Sequence, residues 1–163
     1  MSNTEQNLRL NPNDGTLSAT DGALNPAGNT VAVAYSNNFP GTASTVLFSI
    51  DSAAGTLGII SSPNGGGPIN TVGSLGLGTA LNENIGFDIV DSNPFGFASI
   101  TVGGQSRLYS VDLATGAATN LGAIGSGTTP YLGLTAATIV PEPTTGILLL
   151  GAAGALGLRR RRS

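Results

Sequence analysis

The sequence predicts an all-β fold: a partial, propeller-like array of about three blades, incomplete as a ring, followed by one short C-terminal hydrophobic helix. Three observations carry this. Residues 1–136 show no sustained 3.6-residue periodicity, and glycine and proline, 25 and 9 of the 163 residues, punctuate the chain every few positions. Between these breaks lie short alternating or apolar stretches bounded by turn dipeptides, the pattern of many short strands. A strand–turn–strand unit also recurs three times, the mark of a repeat architecture.

In chain order, strands are expected at Asn7–Leu10, Thr30–Tyr35, Thr45–Asp51, Thr56–Ser61, Ile85–Val90, Phe97–Val102, Arg107–Val111, Ala117–Leu121 and Tyr131–Ala136. Asn13-Asp14-Gly15, Ala53-Ala54-Gly55 and Ala114-Thr115-Gly116 read as hairpin turns, glycine supplying the positive φ. These turns belong to the repeat. Leu10-Asn11-Pro12-Asn13-Asp14-Gly15-Thr16-Leu17 lies over Ile50-Asp51-Ser52-Ala53-Ala54-Gly55-Thr56-Leu57 and over Val111-Asp112-Leu113-Ala114-Thr115-Gly116-Ala117-Ala118. A second echo follows, Thr71-Val72-Gly73-Ser74-Leu75-Gly76 against Asn120-Leu121-Gly122-Ala123-Ile124-Gly125. One such sheet cannot bury both its faces, so neighbours must stack. Three units do not close a ring, since propellers use at least about four blades.

The chain divides into a β-repeat domain (1–136), a proline-rich linker (137–143), a membrane-seeking helix (144–158) and a basic tail (159–163). In the linker, Val140-Pro141-Glu142-Pro143 is held extended by its prolines. The apolar run after it would span only about 22 Å as a helix against roughly 30 Å of hydrocarbon, a deficit that snorkelling arginines and local thinning cover. Arg159, Arg160, Arg161 and Arg162 then act as a membrane stop that stays cytoplasmic. This order closely resembles the PEP-CTERM sorting signal of Gram-negative bacteria. The resemblance implies export, transient membrane anchoring and processing near the Pro-Glu-Pro motif by a membrane protease-transpeptidase of the exosortase type. Met1 to Gln6 show neither a basic n-region nor an apolar h-region, so no signal peptide is expected there. The expectation is a truncated front end, the parent carrying the missing signal and further blades.

Composition narrows the function. Charged residues make up 9% of the chain, and lysine, cysteine and histidine are absent. Without cysteine there is neither a disulfide framework nor a thiolate metal site. Without histidine the usual general base and the commonest transition-metal ligand are missing. Residues 1–140 set two arginines, Arg9 and Arg107, against eight carboxylates, a net of −6. An acidic body without basic patches argues against nucleic acid as a partner.

The blocks Gln6-Asn7-Leu8-Arg9-Leu10-Asn11-Pro12, Asp21-Gly22-Ala23-Leu24-Asn25-Pro26, Ala32-Val33-Ala34-Tyr35-Ser36-Asn37-Asn38-Phe39, Thr45-Val46-Leu47-Phe48-Ser49-Ile50-Asp51 and Arg107-Leu108-Tyr109-Ser110-Val111-Asp112-Leu113-Ala114-Thr115-Gly116 resemble the bacterial family called domain of unknown function 4394. The resemblance runs over roughly residues 5–136 and implies a propeller-like body. It transfers no activity and no catalytic residue.

No catalytic, cofactor-binding or metal-binding residue is therefore expected, and no cofactor. Asp51 and Asp112 precede glycine turns at equivalent repeat positions, where an Asx turn is the ordinary role. Asp88 and Asp91 read as a solvated strand end rather than an acid–base pair. Gly73-Ser74-Leu75-Gly76-Leu77-Gly78 lacks the lysine of a phosphate loop and reads as a strand connection. Arg9 and Arg107 are each expected to pair with a nearby carboxylate. The richest polar-aromatic segment is the loop at Tyr35, Asn37, Asn38 and Phe39, the candidate ligand loop. The expected role is a non-enzymatic structural or interaction protein of the cell surface or extracellular matrix. Its expected partners are an exosortase-type enzyme, the membrane and exopolysaccharide. The rivals are a carboxylate-based glycan-active enzyme and a non-functional gene remnant.

Overall fold

A computed structural model describes residues 6–62, 64 and 67–137. The sorting residues Val140, Pro141, Glu142 and Pro143, the helix expected at 144–158 and Arg159 to Arg162 lie outside the described residues. Within them the chain is all-β, with ten strands in three antiparallel sheets and no helix. β1 (Leu8–Leu10) and β2 (Leu17–Thr20) form a hairpin. The first four-stranded meander comprises β3 (Thr30–Tyr35), β4 (Leu47–Asp51), β5 (Thr56–Ile60) and β6 (Ile69–Ser74). The second comprises β7 (Gly86–Ile89), β8 (Phe95–Val102), β9 (Gln105–Asp112) and β10 (Ala118–Ala123). The described residues form no closed ring.

The main core lies between the two meanders. Alternation along the strands sends Ala34, Phe48, Ile50 and Leu57 to one side of it and Phe87, Ile89, Ala98, Ile100, Tyr109 and Val111 to the other, with Leu75 and Ile85 filling in from the connection. A smaller cluster of Leu24, Leu47 and Ile60 occupies the opposite face of the first sheet. β4 is thus buried on both faces, which is why Leu47-Phe48-Ser49-Ile50 reads as a nearly continuous apolar run instead of an alternation. β3 lies against β7 across the interface. Farther out, Leu75 joins the two sheets: its N–H donates to Gly55 O (2.9 Å) and its carbonyl accepts from Ala118 N–H (3.0 Å). A Cβ on Gly73 would collide with the Thr115 carbonyl, so only glycine admits the turn after β9 this close to β6.

Four expectations need correction. β2 is absent from the expected strands because Leu-Ser-Ala-Thr is short and largely exposed. β6 reads as a connection in the sequence, since Asn70, Thr71 and Gly73 weaken its strand pattern, yet it pairs with β5 along its length. Tyr131–Ala136 is a strap lying outside the sheets and not a strand. Its Ala136 N–H donates to the Asp88 carboxylate (2.8 Å), and Gly133 and Leu134 press onto the Cβ-less Gly86. Finally, the turn repeat and the sheet repeat are out of step. The Asp51–Gly55 turn joins the second and third strands of its sheet, whereas Asp112–Gly116 joins the third and fourth. The fainter echo, Thr71–Gly76 against Asn120–Gly125, does match equivalent fourth strands.

Candidate functional site

The carboxylates serve first as turn caps. Asp51 accepts from Ala54 N–H (2.9 Å) and Asn29 N–H (3.2 Å), and Asp112 accepts from Ala114 N–H (2.8 Å) and Thr115 N–H (3.1 Å). Asp14 accepts from both the N–H and the hydroxyl of Thr16, which holds its carboxyl below the ordinary aspartate value. Each is an Asx arrangement fixing a tight turn. Asp88 takes Ile89 N–H and the strap's Ala136 N–H, whereas Asp91 stands at a positive φ of 48° in the turn after β7. The two therefore do separate structural work. Among the described residues no group of three or more acids could hold a metal ion.

The loop after β3 divides into two functions. Asn37 N–H donates to Asp91 O (2.6 Å), the Asn38 amide donates to Ile89 O (3.2 Å), and its Oδ1 accepts Asp91 N–H (3.2 Å). Asn37 and Asn38 thus clamp the first meander to the second. Tyr35 and Phe39 remain as the exposed aromatics of the loop.

Tyr35 belongs to a different constellation. On β3, Val33 and Tyr35 alternate away from the main core, beside Leu47 of β4. The hairpin stands over this face. Asn7 pairs with Asp21, whose N–H donates to Asn7 O (2.9 Å), and Arg9 lies two residues along the same face. Arg9 grips Asp21 with both edges of its fork, Nη2 to Oδ1 at 2.6 Å and Nε to Oδ2 at 3.3 Å. The neighbouring carboxylate raises the guanidinium pKa above its ordinary value. Between the walls lies a cleft of about 240 Å³, lined by Asn7, Leu8, Arg9 and Asp21 on one side and Val33, Tyr35 and Leu47 on the other, with Asn64 completing it. Sequence reasoning selected Tyr35 but missed Asn7, Asp21, Val33 and Leu47, because they meet only through the docking of the hairpin. Arg9 finds its expected carboxylate. Arg107, on β9, forms no ion pair among the described residues.

With the geometry in place, comparison with known families decides kinship. The family described as Domain of unknown function (DUF4394) matches residues 1–135. The chain belongs to the DUF4394 family. The match spans the hairpin, both meanders and all but the last residue of the strap, so the cleft lies wholly within the DUF4394 region. A PEP-CTERM protein-sorting motif follows at residues 140–163 and implies export to the cell envelope or surface and processing by an exosortase, a membrane enzyme. No curated protein and no solved structure matches the chain. The DUF4394 match assigns no activity, and any role beyond sorting has to be argued from the molecule.

Proposed function

We propose that this DUF4394 protein is a non-enzymatic surface or extracellular-matrix protein whose β body is displayed for contact with matrix components. The observation that carries the reading is the sorting motif at 140–163 directly behind an all-β body. In this reading the two meanders and the hairpin are adjacent blades of a propeller-like array, a relation supported by β3 lying against β7 and by the shared core between the sheets. Asp14, Asp51 and Asp112 serve as turn caps, which leaves little for carboxylate catalysis and favours a binding or structural role. Exposed Tyr35 and Phe39 supply contact surface, and Asn37 and Asn38 hold their loop in place. The segment 144–158 anchors the chain transiently in the membrane while Arg159 to Arg162 stay inside. Nucleic acid is not a partner.

The test is fractionation of a tagged chain, exported behind a functional signal peptide, in a host with and without its exosortase. The expected result is a shortened product at the surface or in the medium when the enzyme is present, and full-length membrane-bound protein when it is absent or when Pro141-Glu142-Pro143 is replaced by alanines. Identical distribution in all three cases would sink the sorting reading.

A further inference from the structure

The cleft between the hairpin and the first meander has two unlike walls. One is apolar and aromatic, built by Val33, Leu47 and the ring of Tyr35, which is 43% exposed. The other is mainly polar, built by Asn7 and the Arg9–Asp21 pair with Leu8 between them, and Asn64 completes the lining. Closing these surfaces dry upon each other would cost free energy, because the Arg9 side chain, 47% exposed beside a largely buried Asp21, would exchange its water for aliphatic groups without compensating hydrogen bonds. The slot stays open for a chemical reason. Its volume, about 240 Å³, lies below the roughly 300–1,000 Å³ of a drug-sized pocket and suits a single small ring.

The walls also define what that ring must be. It needs an apolar face to lie on Tyr35 and a rim of hydroxyls to meet the polar side. Two of the five guanidinium N–H groups of Arg9 engage Asp21, leaving three donors for a ligand. Asp21 already neutralises the arginine, and residues 1–140 carry a net of −6, two arginines against eight carboxylates. An anionic ligand thus gains no local cation and meets long-range repulsion. We infer that this cleft is a binding subsite for a neutral saccharide unit, with Tyr35 as its stacking platform and Arg9 as its hydroxyl-recognising donor. The inference rests on the matrix-contact reading above and names the ligand class that such a surface would take.

The test uses the full chain in a zwitterionic detergent without a sugar headgroup, followed by NMR during titration with glucose, galactose, mannose and cellobiose, and separately with glucuronate. Arginine Nε–H signals are few and separate Arg9 from Arg107. The expected result is a saturable shift of Arg9 Nε and the Tyr35 ring with at least one neutral sugar, while Arg107 stays unchanged. Tyr35→Ala should weaken binding about tenfold or more, and Tyr35→Phe, which keeps the ring face, should largely retain it. Phe95→Ala, an equally exposed aromatic on the second meander, should leave it unaltered. Should Tyr35→Ala fail to fold, the wild-type titration and Tyr35→Phe decide alone. No Arg9 or Tyr35 response to any neutral sugar, a response to glucuronate only, or shifts confined to residues outside the cleft would each overturn the inference. None of these outcomes bears on the fractionation result, so failure of the subsite and failure of surface sorting are distinguishable.

Discussion

At the scale of single residues, short polar side chains hold this protein's turns in shape. Asp14 is the clearest case, because two hydrogen bonds from Thr16 stabilise its ionised form. A carboxyl held low by folding adds stability that is fully present above its unfolded pKa, about 3.9, and lost as pH falls through the lower folded value. The hairpin turn should therefore loosen only in strong acid. Acid titration followed by exchange of the Thr16 amide should show protection down to pH ~4 and its loss below. In Asp14→Asn the same amide should be insensitive to pH across that window. Asn37 and Asn38 illustrate a limit of reading composition. A polar-aromatic loop suggests a ligand site, yet both asparagines are committed to the neighbouring sheet and only the aromatics point to an outside partner.

Strands and turns show where the sequence was legible. β3, β4, β5, β8 and β9 could be located because β-branched and aromatic residues concentrate there and glycine turns bound them. β2 and β6 escaped because their stability comes from pairing with a neighbour, while their own residues are small, polar and partly exposed. The strap at Tyr131–Ala136 misled in the opposite direction: its residues suit a strand, but its Ala136 N–H bonds the Asp88 side chain rather than the backbone of a neighbouring strand. Half of the cleft was invisible for a related reason, since no spacing rule links Arg9 to Leu47. The central strands carry the stability. Leu57 of β5 is fully buried in the core between the meanders, so Leu57→Ala should cost about 2–5 kcal/mol in urea or thermal unfolding.

At the scale of the whole molecule, stability should fall from the paired meanders toward the hairpin. β8 and β9 pair along eight residues, whereas β1 and β2 meet over three and expose Leu10 and Leu17. Native-state hydrogen exchange should find β8 and β9 amides opening only with global unfolding and the hairpin opening well below that limit. Equal protection in both would mean that the hairpin is an integral layer of the core. The staggered turns carry a consequence for how such a gene can lengthen. An unequal crossover between the codons for Thr71–Gly76 and Asn120–Gly125 would insert four strands, one complete sheet, and keep every later strand in its place. Recombination between the codons of the two Asp-to-Gly turns would insert five, leaving one strand without a sheet. The more conspicuous repeat in the sequence is thus the wrong seam for duplication, and the faint one is the seam along which the array could grow.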